Sequence, residues 1–128
     1  MSRELTLLTW SAGLAIIQLF VAFLVATLAS GLPDVPGSRD KPPPASSFSG
    51  RAHHAAQNML QSLAPFAALV LVAEITNRTN PSTGLGAQVF FAARFVYAVV
   101  AMIGLPWLLT AVWCVSIAAM VLILAQLL

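Results

Sequence analysis

The carboxyl-terminal end of the chain decides the fold: it reads LPWLLTAVWCVSIAAMVLILAQLL over residues 105–128, without a charged side chain. A helix needs about 20 apolar residues to cross the hydrocarbon core of a bilayer. The apolar residues are continuous rather than alternating, and backbone groups in lipid must be satisfied within a helix or a closed barrel. The stretch therefore predicts a transmembrane helix.

Three more apolar stretches precede this one. Residues 5–32 carry no charge, residues 55–75 carry one at Glu74, and residues 85–103 are interrupted by Arg94. The whole chain is 59% hydrophobic and 8% charged, whereas soluble domains are about a quarter charged. We therefore expect a single all-α domain, an integral membrane four-helix bundle that occupies residues 1–128. Its helices are expected at about 5–32, 52–75, 85–103 and 105–128.

The first apolar stretch has features of a cleaved signal peptide, because Arg3 precedes it and the small residues Ala29 and Ser30 end it. The apolar region of a signal peptide is only about 7–15 residues long. The stretch is much longer than that, so a retained helix is the better interpretation.

The connections between the stretches differ in length and composition. Residues 33–50 hold five of the eight prolines and four of the ten charged residues, which predicts an extended, solvent-exposed loop. Residues 76–84 form a turn-rich cluster. The last connection is only Gly-Leu-Pro at 104–106, which forces the third and fourth helices into an antiparallel hairpin.

The basic residues predict an orientation. Arg39, Lys41 and Arg51 lie on the side of the long loop, against Arg3 and Arg78 on the other side. Positively charged loops favour the cytoplasm, so we expect a cytoplasmic long loop. The alanine-rich composition suggests a bacterial source, and with it a multi-pass protein of the inner membrane. The net charge of +2 is too small to indicate a nucleic-acid partner, so the lipid bilayer is the expected surrounding.

Polar side chains recur at helical spacing in the second and third stretches. The second stretch places four of them at steps of three, four and three, which predicts one helix face; they are Arg51, His54, Asn58 and Gln61. We do not expect a metal site, because the adjacent His53 and His54 point about 100° apart on a helix and no third ligand is evident. Gln18 in the first stretch is interpreted as a side chain that joins neighbouring helices.

Arg94 lies about midway along the third stretch, where a charge costs at least about 2.5 kcal/mol by insertion scales. Such a residue requires a partner. Glu74, Gln88 and the polar face of the second helix are the candidates, and we expect a neighbouring subunit to shield Arg94 and that face.

Two motifs resemble those of a known family. RAHHAAQNMLQ at residues 51–61, with Pro65 four residues on, resembles the second-helix signature of the MAPEG family (membrane-associated proteins in eicosanoid and glutathione metabolism). That signature reads roughly Arg-Ala-x-Arg-Ala-x-x-Asn-x-x-Glu. ARFVY at 93–97, followed by GLP at 104–106, resembles the family's third helix and the turn after it. The resemblance covers essentially the whole chain.

This resemblance implies a homotrimer of left-handed four-helix bundles that binds glutathione between subunits, near the cytoplasmic surface. Active members transfer the glutathione thiolate to lipophilic electrophiles or reduce lipid peroxides. A guanidinium near the thiol favours the thiolate, and further arginines hold the carboxylates of glutathione in forked pairs. The implied ligand-binding residues are Arg51, His54, Asn58, Gln61, Arg94 and Tyr97, with glutathione as the candidate cofactor and no metal.

The chain also departs from the family pattern. His54 stands in place of an arginine, Gln61 in place of a glutamate and Ala101 in place of an aromatic residue. Leu109 occupies the place of the arginine credited with thiol activation.

These departures leave two functions open, and no catalytic residue is assigned. In the first, the protein keeps a degenerate glutathione-type site with weak or no catalysis. It then binds a lipid or small molecule, or serves as an accessory subunit of a larger membrane assembly. The alternative is a glutathione-dependent membrane transferase or peroxidase that acts on lipophilic electrophiles.

Overall fold

The computed structural model describes residues 2–30 and 48–128. Within these residues there are four helices: α1 (Arg3–Ser30), α2 (Phe48–Ile75), α3 (Pro81–Ile103) and α4 (Pro106–Leu127). All four are long and apolar enough to cross a membrane. The predicted all-α class and the four spans are therefore confirmed. Most of the predicted proline-rich loop lies outside the described residues.

Three helices begin earlier than the hydropathy pattern predicts, and α1, which begins at Arg3, differs by only two residues. α2 begins at Phe48, so residues 48–50 belong to a helix and not to the loop. α3 begins at Pro81 because Asn80 caps it. The Asn80 side chain accepts a hydrogen bond from the Thr83 N–H at 2.9 Å, and the Asn80 N–H donates to the Thr83 hydroxyl at 2.8 Å. This reciprocal capping box followed by proline is a strong helix start, although its polar residues resemble a turn.

The turn between α3 and α4 is as short as expected. Gly104 ends α3 in the left-handed conformation, with φ 87°, and its N–H donates to the Val100 carbonyl. Glycine adopts this conformation without the penalty that a Cβ brings. Pro106 then begins α4 at a position where its missing N–H is not needed. α3 and α4 therefore form the antiparallel hairpin.

The main core joins all four helices in the half of the bundle near the chain termini. It contains Leu7 of α1, Phe66 and Val70 of α2, Phe90 of α3 and Ile123 of α4. The Phe66 and Phe90 rings stack with their centroids 3.9 Å apart. A smaller cluster of Ala55, Tyr97 and Ala101 lies towards the α3–α4 turn. The segment of α2 and α3 between these two clusters contains the candidate site.

Glycine positions provide a matched test of this packing. At Gly86, an added Cβ would lie 2.7 Å from Cγ1 of Ile123 and 3.0 Å from the Ala119 carbonyl oxygen. At Gly13 nothing lies within 4 Å. We expect Gly86→Ala to lower the free energy of unfolding by about 1–3 kcal/mol, because overpacking pushes α3 and α4 apart. Gly13→Ala should raise it by up to about 1 kcal/mol, because alanine favours the helix. Reversible denaturation in mixed micelles measures both values. Equal effects would contradict the close α3–α4 contact.

Candidate functional site

The centre of the site is Arg94 on α3. Its side chain is only 1% exposed, and its Nη2 donates a hydrogen bond of 2.8 Å to Oδ1 of Asn58 on α2. The predicted polar face of the second helix therefore supplies the partner of Arg94. Since the single chain already buries Arg94, this residue does not need a neighbouring subunit to shield it.

Tyr97 forms the second contact of the guanidinium. It lies one turn after Arg94 on α3, and the guanidinium carbon is 4.3 Å from the centre of the Tyr97 ring. A cation this close to an aromatic face is attracted by the negative face of the ring. Asn58, Arg94 and Tyr97 thus form one cluster, which we call the arginine cluster.

The arginine cluster leaves part of the guanidinium unsatisfied. Nε and Nη1 of Arg94 are buried and have no hydrogen-bond partner among the described residues. Among the described residues, the hydrogen bond and the aromatic contact of the Arg94 guanidinium are to a neutral amide and a neutral ring. A buried guanidinium normally pairs with a carboxylate or phosphate, often through two parallel hydrogen bonds. The cluster therefore contains two buried donors that an anionic oxygen would satisfy.

The other predicted residues of α2 do not join the arginine cluster. His54 and Gln61 are exposed, whereas Asn58 is partly buried. The ten residue steps from Arg51 to Gln61 rotate an ideal helix by about 1,000°, which is about 80° short of three full turns. The four predicted side chains therefore spread over about 80° of the helix surface. The predicted face is therefore broad: its inner edge meets α3 and its outer edge leaves the bundle.

Arg51 lies at the start of α2, against the α3–α4 turn. It is half-buried, and its guanidinium carbon is 5.6 Å from the centre of the Phe48 ring. A Cβ at Gly104 would lie 3.2 Å from Cδ of Arg51, so the glycine leaves space for this side chain. Asn58 follows two turns later, about 10 Å along the helix axis. Arg51 therefore marks the end of the bundle at which the long loop joins α2.

The remaining candidate partners of Arg94 lie elsewhere. Glu74 accepts a hydrogen bond from the Ser2 hydroxyl at the opposite end of the bundle, and Gln88 is exposed. At that same end, Glu4 is 6% exposed and accepts a 3.2 Å hydrogen bond from the Thr83 hydroxyl. The sequence reasoning missed this buried carboxylate, although a charge at the edge of an apolar stretch was the available signal.

The family follows from comparison with known proteins. The MAPEG family model matches residues 7–128, nearly the whole chain. The chain belongs to the MAPEG family. Searches of the curated proteins and of the solved structures find no match.

Within this MAPEG chain, the small cluster that contains Tyr97 has apolar neighbours on α4. Leu109 and Val112 of α4 pack against the small cluster that contains Tyr97. Leu109 is the position at which the family resemblance implies an arginine. In the parts of the chain that the structure describes, no group of three His, Cys, Asp or Glu side chains is arranged to hold a metal ion.

A double-mutant cycle tests the arginine cluster. Asn58→Leu leaves the Arg94 charge buried without its amide, so we expect a loss of about 1–3 kcal/mol in the free energy of unfolding. Adding Arg94→Met should restore part of this loss, because removing both members of a buried polar pair costs less than removing one. Gln61→Leu is the control, since Gln61 is exposed and should show no coupling to Arg94. Additive effects of the Asn58 and Arg94 substitutions would contradict the contact.

Proposed function

We propose that this MAPEG protein binds a small amphiphilic acid at the arginine cluster, with weak or no glutathione chemistry. The observation that carries the proposal is the buried Arg94 guanidinium, two of whose nitrogens have no partner among the described residues. A carboxylate would satisfy those donors and neutralise the charge. Since Arg94 lies within the membrane-spanning helix Pro81–Ile103, the remainder of the ligand is expected to be lipophilic.

Glutathione, which the family resemblance implies, fits this site only in part. Its carboxylates would suit Arg94, and Asn58 would hold the guanidinium in position for them. The residues that the family resemblance implies for the rest of glutathione are less suitable, since His54 and Gln61 are exposed on the outer edge of α2. Gln61 is also neutral, so it is a poorer partner for an amine than a glutamate is.

The part of the site that would activate a thiol does not fit. A thiol becomes a nucleophile at neutral pH when a nearby cation favours the thiolate. The position at which the family resemblance implies a thiol-activating arginine carries Leu109, which packs against the small cluster that contains Tyr97. Removing one preorganised charge from a reaction site lowers the rate by roughly 10²–10³-fold, by analogy with deleted oxyanion-hole donors. This is why we rank binding above catalysis.

The alternative is a glutathione-dependent transferase or peroxidase. Arg51 and Arg94, two of the implied glutathione ligands, are both present, and Arg51 lies at the end of the bundle where the long loop joins. We propose that this end faces the cytoplasm of a bacterial inner membrane.

In a third arrangement the protein is an accessory subunit, and a larger membrane assembly covers the site.

Calorimetric titration separates these functions. We expect decanoate, below its micelle concentration, to bind the purified protein in detergent. Binding should be lost in Asn58→Leu/Arg94→Met, because the charge is gone. Titration with glutathione should give no saturable heat below about 1 mM. The protein should also not raise the rate at which glutathione reacts with a lipophilic electrophile above the uncatalysed rate. Arg78→Ala is the matched control, because Arg78 lies at the opposite end of the bundle and bonds to the Leu127 carbonyl.

Two results would overturn the proposal. Submillimolar glutathione binding that Arg51→Ala and Arg94→Ala both abolish would establish the transferase alternative. Decanoate binding that is unchanged in Asn58→Leu/Arg94→Met would remove the arginine cluster from the site.

We also propose a homotrimer, supported by the outer edge of α2. This edge carries polar and small side chains, all of them exposed in the single chain: His54, Gln57, Gln61, Ala64 and Ala68. Polar groups in membrane helices favour contact with other helices over lipid, and small residues let backbones approach closely. The edge is therefore suited to contact a second copy of the chain.

Native mass spectrometry in mild detergent tests the trimer. Ala64→Leu should shift the population from trimer to monomer, because the larger side chain keeps the helices apart. Ala118→Leu is the control, since it makes the same change at an exposed alanine of α4. A wild-type protein that is a stable monomer would contradict this proposal.

A further inference from the structure

A groove lies between α1, α2 and α3. The groove has a volume of about 190 Å³, and its walls include Ile17 and Gln18 of α1, Ala52 and Ala55 of α2, and Phe95 of α3. An engineered apolar cavity of about 150 Å³ holds benzene. The groove is therefore large enough for a ring or for part of an aliphatic chain.

Small side chains create the space. Ala52 and Ala55 are each 2% exposed and form the floor of the groove. Its rim is apolar and open, since Ile17, Phe95 and Val99 are exposed. Since these residues lie in helices long and apolar enough to cross a membrane, we expect the opening to face the acyl chains of the bilayer, from which a lipophilic molecule would enter.

Gln18 gives the groove one polar feature. It lies near the middle of the span Arg3–Leu28, and its side chain is 9% exposed. Its Oε1 atom is buried without a hydrogen-bond partner among the described residues. The sequence analysis interprets Gln18 as a side chain that joins neighbouring helices. Among the described residues, its Oε1 atom forms no such bond. An acceptor left unsatisfied at this depth is costly, because the hydrocarbon contains no water to bond to it.

We propose that the groove binds a neutral lipophilic alcohol whose hydroxyl hydrogen-bonds to the amide of Gln18, which rotates to bring its buried Oε1 to the ligand. The acceptor requires a donor, and a hydroxyl is a small one that an aliphatic chain or ring can carry into the groove. The ligand is neutral because none of the described lining residues is ionisable and an unpaired charge at this depth is costly. This site is separate from the arginine cluster, since neither Arg94 nor Asn58 lines the groove.

Photolabelling in phosphatidylcholine nanodiscs tests the proposal. One probe is a dodecyl alcohol with a diazirine in its chain, and the matched probe has hydrogen in place of the hydroxyl. We expect the alcohol to label the groove residues about tenfold more than the matched hydrocarbon, the effect of one hydrogen bond on affinity. Unlabelled dodecanol should compete, and mass spectrometry should locate the labelled residues.

Variants make the test specific. Gln18→Leu should reduce labelling by the alcohol to that by the hydrocarbon. Ala98→Leu, which fills the groove from α3, should reduce labelling by both probes. Gln88→Leu is the matched control, because Gln88 is exposed on α3 and does not line the groove. Decanoate binding should be unchanged in Gln18→Leu, so this site and the arginine cluster can fail independently.

Three outcomes would overturn the inference. Equal labelling by the two probes would mean that ordinary acyl chains fill the groove. Labelling by the alcohol that persists in Gln18→Leu would mean that the amide does not recognise it. Failure of both probes to label the wild type would mean that the groove is closed, as it would be if a second copy of the chain covered it.

Discussion

The guanidinium of Arg94 is the constraint on which this structure depends, because a charge in the interior of a membrane protein must find partners inside the protein. α2 supplies Asn58, whose Oδ1 lies 2.8 Å from Nη2 of Arg94, and α3 supplies the ring of Tyr97. The stacked Phe66 and Phe90 rings lie on one side of this contact along the bundle. The Asn58–Arg94 hydrogen bond therefore adds a directional contact between α2 and α3 to the apolar packing of the same helices.

The choice of a neutral partner has consequences for function. A carboxylate in the place of Asn58 would cancel the Arg94 charge, whereas an amide leaves the charge in place and two buried nitrogens without a partner among the described residues. A ligand that brings an anionic oxygen would complete the pair. Activation of a thiol needs a further cation, and Leu109 occupies the position at which the family resemblance implies one. Binding and catalysis can thus separate within one fold, because they depend on different residues of the same region.

Much of the architecture could be predicted from the sequence. Long uncharged stretches have few alternatives to membrane helices, and a charge as costly as Arg94 restricts its own partners to a short list. The direction of each helix face could not be predicted, because lipid and protein interior are both apolar. His54 and Gln61 therefore share a pattern with Asn58 but lie outside the bundle. The start of α3 was missed because Asn80 and Thr83, as isolated polar residues, indicate a turn equally well.

Solid-state NMR of the protein in lipid bilayers tests the central claim most directly. With ¹⁵N in the arginine side chains and ¹³C in the asparagine side-chain carbonyls, the dipolar coupling between the two labels reports their separation. The account predicts strong dephasing of the Asn58 carbonyl signal by an arginine nitrogen. Asn58→Ser identifies this signal by its loss, and Arg94→Met should abolish the dephasing. An Asn58 signal that shows no dephasing in the folded wild-type protein would contradict the account, because Arg94 would then have to be held by something else.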